Sequence, residues 1–197
     1  MQPMREATVI HANYRIQSVV FSPDSSIMAL GMDDKTIVLL DAVTGQSIGK
    51  PFIGQRGVVR SVAFSSDGHT LVSGGMDASV LVWDLQNHPL SQILAGQAMI
   101  VTFNPNGQLL ASAAGSDGQI RLWDTNTWQS TRLPLIENIG VVKALAFSPD
   151  GLLLAASGQD QLIHLWDAVL QQPINESLTG LEEQITCLAF WMAKIIF

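Results

Sequence analysis

Two carboxylates flank a tryptophan in the stretch Asp77-Ala78-Ser79-Val80-Leu81-Val82-Trp83-Asp84. Paired acids can do general acid–base work, one giving a proton while the other takes one. The pair recurs as Asp34/Asp41, Asp117/Asp124 and Asp160/Asp167, always seven positions apart. An active site needs one convergent constellation. A pair in every unit suits turns and strand ends, where Asp accepts hydrogen bonds from its own backbone. The histidines, His11, His69, His88 and His164, fall at non-equivalent positions, so they predict no shared metal site. His164 aligns with Val38, Leu81 and Arg121 and reads as a strand residue on a partly exposed face. Cys187 lies in the apolar run Ile185–Phe190 and reads as a buried, inert thiol, because reactive thiols need an electropositive, accessible setting. The chain has no nucleophile elbow, phosphate loop, dinucleotide fingerprint or zinc-protease motif. The expectation is no catalytic residue, no cofactor and no metal: a protein that is not an enzyme.

Composition narrows the partners. The 197 residues are 47% hydrophobic and 14% charged, enough for a sizeable core. The net charge of -7 argues against nucleic acid and anionic membranes, and the few basic residues form no stripe. The acids are mostly turn residues: besides the four pairs, Asp24, Asp67 and Asp150 sit in a second repeated turn, leaving only Asp33 outside. One cysteine excludes an internal disulfide. The first fifteen residues lack the apolar core of a signal peptide, and no stretch reaches the ~18–20 apolar residues of a membrane span. A cytoplasmic location is expected.

The elements that position these residues are repeats. The phrase around each acid pair recurs as Gly31–Asp41, Gly74–Asp84, Gly115–Asp124 and Gly158–Asp167, with Leu40, Trp83, Trp123 and Trp166 six positions after the first Asp. Upstream lies a second phrase: Val19–Ser25, Val62–Gly68, Val101–Gly107 and Leu145–Gly151. Its phenylalanines, Phe21, Phe64, Phe103, Phe147 and Phe190, are spaced by 43, 39, 44 and 43. The closing aspartates are spaced by 43, 40 and 43, so two independent landmarks share one period. Each unit carries four short strand signals separated by Gly, Pro, Asp and Ser, as in Val59–Phe64, Thr70–Ser73, Ser79–Trp83 and Leu90–Leu94. Nothing shows a helical period. The first three strands are nearly continuously apolar, which predicts burial on both faces; the fourth is a polar edge strand.

Such a unit buries its faces only by stacking on copies of itself. The units resemble WD repeats, the blades of a β-propeller, in Gly54-Gln55, Phe64–Gly68, Asp77 and Trp83-Asp84, taken in order. The resemblance implies an all-β fold of four-stranded antiparallel blades at 14–53, 57–94, 98–135 and 140–179, with partial blade strands at 5–11 and 185–197. It also implies a hydrogen-bonded set within a blade, joining a His, a Ser or Thr, the turn Asp and the Trp. Here Gln55 and Gln97 stand at the His position, Leu30 and Ala156 replace the hydroxyl kept by Ser73 and Ser112, and Leu40 replaces one Trp. His11 reads as the one surviving histidine of the set, in a blade that lacks both the Trp and the Ser. Asp34, Asp77, Asp117 and Asp160 are the faithful positions, with Trp83, Trp123 and Trp166. Blades held mainly by apolar packing and Asp turns are therefore expected.

Four complete units fall short of the family's usual ring of about seven blades. The chain reads as a fragment or disrupted reading of a longer propeller; the alternative is a clasp in which Glu6–His11 completes a fifth blade with Lys194–Phe197 as its second strand. Partners in this family commonly dock on the face near the central channel. That places a candidate protein-binding face at Gln17, Arg60, Met99, Lys143 and Thr186, four before each repeat Phe, and at Asp33, Met76, Ser116 and Gln159, before each turn Asp. These columns vary while the scaffold columns repeat. The expected function is a non-catalytic protein–protein interaction scaffold, able also to self-associate through open blade edges. The alternatives are a sensor segment of a signalling ATPase or kinase, and a channel-face ligand binder or enzyme, which the apolar inner strands disfavour.

Overall fold

The computed structural model describes residues 12–87, 90–94, 98–113, 118–131, 135–136, 139–178, 185–191 and 194–196, and every regular element among them is a strand. The first sheet runs β1 (Ile16–Phe21), β2 (Ile27–Met32), β3 (Thr36–Asp41), β4 (Phe52–Ile53). The second runs β5 (Val59–Phe64), β6 (Thr70–Gly75), β7 (Val80–Asp84), β8 (Leu90–Leu94). The third is β9 (Ile100–Phe103), β10 (Leu109–Ala113) and β11 (Gln119–Asp124), with an outer edge in two pieces, β12 (Gln129–Ser130) and β13 (Leu135–Ile136), both paired to β11. The fourth is β14 (Ala144–Phe147), β15 (Leu153–Ser157), β16 (Ile163–Asp167) and β17 (Gln172–Leu178). All pairs are antiparallel meanders, and β18 (Ala189–Trp191) pairs with β19 (Lys194–Ile196) in a separate hairpin.

The first hairpin of each sheet is set by side chains that cap their own turn. Ser65 accepts from the Thr70 amide at 3.0 Å and donates to Asp67 at 2.6 Å, while Asp67 accepts from the His69 amide at 2.9 Å. Ser22/Asp24 and Ser148/Asp150 repeat this pattern. In the third sheet Asn104 and Asn106 do the same work, accepting from Leu109 at 2.9 Å and Gln108 at 3.0 Å. Gly107 closes that turn at φ 75°, and a Cβ there would stand 2.2 Å from the Ser66 hydroxyl of the neighbouring turn. Adjacent sheets thus fix each other's turn residues.

Cores form between sheets. Ala29, Ile37, Leu39 and Phe52 of the first sheet meet Val62, Phe64, Leu71, Leu81 and Trp83 of the second. The other face of the second sheet, Val72, Val80 and Val82, meets Val101, Leu110 and Trp123 of the third. Ala111, Ile120 and Leu122 then pack on Leu145, Leu154 and Trp166. Both faces of the second and third sheets are therefore dry, and each fully buried aliphatic side chain contributes about 1.5–3 kcal/mol. The first sheet departs from the expected double burial. Val19 and Phe21 are 51% and 54% exposed, whereas Val62 and Phe64, at the same places in the second sheet, are 5% and 8% exposed.

The carboxy-terminal segment corrects two readings. Residues 185–188 are not strand, and β18 starts only at Ala189. Ile185 and Leu188 turn inward against Ala144, Ala155 and Ile163, which leaves Cys187 exposed rather than buried. Lys194–Ile196 forms the second strand of that hairpin, with Trp191 opposite Lys194. Glu6–His11 lies outside the described residues.

Candidate protein-binding face

The scaffold of the second sheet is tied by a directional relay. The Trp83 indole donates to Ser73 at 2.9 Å, Ser73 donates to Gln55 Oε1 at 3.0 Å, and Gln55 Nε2 donates to Asp77 Oδ1 at 2.9 Å. Gln55 and Ser73 are both buried. Gln55 also donates to the Ser79 hydroxyl at 2.9 Å. The second oxygen of Asp77 accepts from the Arg56 and Gly57 amides. Partial burial pushes the Asp77 carboxyl up, but the Arg56 amide, Gln55 and Ser79 together outweigh it and hold the group below its ordinary value. Gly75 makes room, since a Cβ there would lie 2.4 Å from Gln55 Nε2.

In the second sheet this relay adds to the apolar packing and Asp turns that were expected mainly to hold the blades. A carboxamide has an acceptor and a donor on one planar head, so it can stand between a hydroxyl and a carboxylate as a neutral imidazole does. The third sheet keeps the first link, Trp123 to Ser112 at 2.8 Å; Gln97 and Asp117 lie outside the described residues. In the first sheet Asp34 accepts from the Thr36 amide and hydroxyl at 3.1 and 2.7 Å.

The fourth sheet corrects the reading of His164. It is 6% exposed, its Nε2 bonds Asp160 within its own hairpin, and its ring stacks on Trp166 with centroids 6.0 Å apart. Ala156 lies opposite it, where the second sheet has Ser73 opposite Leu81. Here the imidazole is delivered by the strand itself, so the turn Asp is bonded by a residue four positions on rather than by one from the preceding loop.

The acid pairs do not converge. Asp77 lies in the turn before β7 and Asp84 at its far end, where it accepts from the Gln86 amide and from both nitrogens of Asn87.

The innermost strands carry a feature at one shared position. Between Ile16 and Ser18 the register of β1 shifts, and between Val59 and Ser61 that of β5 shifts in the same way, so Gln17 and Arg60 are bulge residues. Met99 donates its amide to the Ala113 carbonyl although Ile100 is the residue paired with Ala113; Lys143 and Ala144 share Ser157 likewise. A β-bulge re-aims a side chain and recurs at binding sites. Arg60 Nη1 donates to Gln17 Oε1 across the sheet boundary at 2.7 Å.

Comparison with known proteins decides the family. The model of the WD domain, G-beta repeat, matches residues 5–41, 45–84, 90–124 and 137–167. The chain belongs to the WD-repeat family. Its sheets are WD blades. Small ribosomal subunit protein RACK1 of Schizosaccharomyces pombe is 33% identical over 57% of this chain and 38% of its own length. Nuclear distribution protein PAC1 of Arthroderma otae is 32% identical over 87% of this chain and 39% of its own length. Periodic tryptophan protein 2 of Arabidopsis thaliana is 27% identical over 78% of this chain and 17% of its own length. The WD chain spans well under half the length of these relatives.

The remaining candidate residues differ from blade to blade. Met76 is 60% exposed beside the Asp77 turn of the second blade. Asp33 is drawn into its own blade, accepting from the Arg15 amide at 3.1 Å while its amide donates to the Arg15 carbonyl at 3.0 Å. Gln159 leans on the neighbouring loop, its Oε1 3.4 Å from the Val141 amide. Thr186 is exposed in the segment before β18, and Ser116 lies outside the described residues. Sequence reasoning missed the serines next to the bulges. Ser18 accepts from the Val62 amide at 3.2 Å, and Ser61 donates to the Val101 carbonyl at 3.3 Å while accepting from the Val101 amide at 3.2 Å. Their shared position, three before Phe21 and three before Phe64, was the signal, and these serines tie neighbouring WD blades at the inner edge.

Proposed function

We propose that this chain is a non-catalytic scaffold that holds a protein partner on the face where the inner-strand bulges emerge. The observation that carries this reading is one shared inner-strand position, a bulge at Gln17 and Arg60 and an amide bonded to the adjoining strand's carbonyl at Met99 and Lys143: one place, four different side chains. A rigid frame with a variable side chain at each fixed place is what recognition by a non-catalytic surface requires. Arg60, exposed and already oriented by Gln17, is the leading contact, with Met76, exposed in the same blade, and Lys143 two blades on. Arg and Met are favoured in contact patches, and Arg in particular as a binding hot spot.

WD-repeat proteins are generally non-catalytic scaffolds, which supports the reading. One relative, U3 small nucleolar RNA-associated protein 21 of Saccharomyces cerevisiae, is named for its association with an RNA. The net charge of -7 favours a protein partner over RNA for this chain. A cytoplasmic location fits the reading, and no helix among the described residues is long and apolar enough to cross a membrane. Self-association belongs to the other exposed surface, the apolar face of Val19 and Phe21.

The test is affinity capture quantified for the parent, the double variant Arg60→Glu/Lys143→Glu and the distant control Gln92→Glu. The reading expects a specific partner retained by parent and control and lost by the double variant, with an unchanged thermal midpoint. Equal retention by all three would refute the face.

A further inference from the structure

At the opposite end of the blades a cavity opens between the turns of the second and third blades. It has a volume of about 370 Å³, and Ser66, Asp67, Asn106, Asn126 and Trp128 line it. Trp128 forms one wall, propped edge-to-face on Phe103 with ring centroids 6.5 Å apart. The backbone of Trp128 is left-handed, at φ 54°. Four residues after the closing Asp of the first blade the same place is held by Gly45 at φ 69°. Gln171 holds the same place in the fourth blade at φ 55°, so the turn sets this backbone while the side chain it presents differs from blade to blade.

Asp67 supplies the charge. The Ser65 hydroxyl, followed by the His69 amide, holds its carboxyl below the ordinary range, so it is an anion at neutral pH. Among the described residues of the turns at this end (22–26, 41–47, 65–69, 84–87, 104–108, 124–128, 148–152 and 167–171) there is no Lys or Arg. An aromatic wall, one carboxylate and two side-chain amides, with His69 the one basic side chain in the described turns at this end, make a receptor for a flat or rounded cation.

We propose that this cavity binds a basic side chain, an arginine or lysine offered by an extended segment of a protein, with the cation against Trp128 and its N–H groups directed to Asp67 and Asn106. The site is at the far end of the blades from Arg60, so it stands or falls independently of the face proposed above.

The probe is the capped peptide acetyl-Gly-Arg-Gly-amide, with its neutral citrulline counterpart and maltotriose as comparisons. The readout is the Trp128 indole N–H resonance of the full chain, assigned through Trp128→Gly. The arginine peptide is expected to shift it saturably, more weakly as salt is added; citrulline and the sugar should not. Asp67→Asn should weaken binding about two- to fivefold, and Trp128→Gly, followed by calorimetry, about two- to fivefold. Both variants copy residues this chain already uses at those places, Asn106 and Gly45, so the turns stay formed. No shift with the arginine peptide, an equal shift with citrulline, or a shift with the sugar alone would overturn the proposal. So would a Trp128→Gly protein with a lowered thermal midpoint and unaltered peptide affinity, because the indole would then serve packing alone.

Discussion

Gln55 and Asp77, 22 positions apart, are joined by a 2.9 Å hydrogen bond in which the carboxamide donates, while its oxygen accepts from Ser73 at 3.0 Å. Each member of the Trp83–Ser73–Gln55–Asp77 chain passes a hydrogen bond in the same direction. Such chains polarise their members, and buried ones are costly to leave half-satisfied. Gln55→Leu should therefore cost about 1–3 kcal/mol, the penalty for stranding buried partners. Gln55→His, which can again accept and donate, should cost less. Thermal melts of the two variants check the ranking.

Trp83 is 2% exposed, donates to Ser73 and meets Phe52 edge-to-face at 5.4 Å across the blade boundary. Trp83→Ala should lose about 3–5 kcal/mol, the usual range for a core tryptophan. Urea unfolding gives the number directly. A change under about 1 kcal/mol would deny Trp83 a place in the core.

Acid sensitivity follows from the turns. Asp24 is lowered to about 2, first by the Ser22 hydroxyl and then by the Ser26 amide. Asp41, Asp67, Asp77, Asp84, Asp124 and Asp150 are lowered as well. An unfolded Asp titrates near about 3.9, so on acidification the unfolded chain takes up protons first. Folded stability is then fully present above about pH 4 and drains away as the pH falls toward 2. The thermal midpoint should be level from pH 7 to 5 and drop steadily below 4. A midpoint unchanged down to pH 2 would contradict the turn assignments.

The blade order and period were legible in the sequence because turn chemistry is local: Ser65, Asp67 and Gly68 act within a few residues of one another. The Trp83–Ser73 link was legible from the same family pattern. Gln55 was not, since its role depends on two partners brought from 18 and 22 positions away, and residue type alone does not announce a carboxamide used as an imidazole. His164 misled for the mirror reason: its strand position looked generic, and only the fold shows its ring buried against Trp166 and bonded to Asp160. The candidate columns were visible as positions, but the bulges beneath them are a register property that no single residue encodes.

The left-handed turn glycines carry a further expectation. Gly107 is at φ 75° with Ser66 of the next blade pressed against it. Gly107→Ala should destabilise by about 1–2 kcal/mol from the backbone alone, and more from the contact. Gly107→Ala combined with Ser66→Gly should recover the second part only. A double-mutant cycle by chemical unfolding separates the two.

The apolar first-blade face gives a prediction about assembly. Phe21 is 54% exposed where Phe64 is 8% exposed. Phe21→Lys should lower the weight-average mass in sedimentation velocity while leaving the melting curve intact. A parent that sediments as a monomer at all concentrations would remove self-association from the reading.

The relay is the claim on which the frame, and so the binding face, depends. Its most direct measurement is hydrogen exchange of the Trp83 indole N–H by NMR in the parent and in Gln55→Leu. The expected result is slow exchange in the parent, comparable with Trp123, and an acceleration of about tenfold or more when Gln55 is lost, the factor that about 1.4 kcal/mol of local opening gives. Identical protection of Trp83 in the two proteins would show that Gln55 does not hold the blade together.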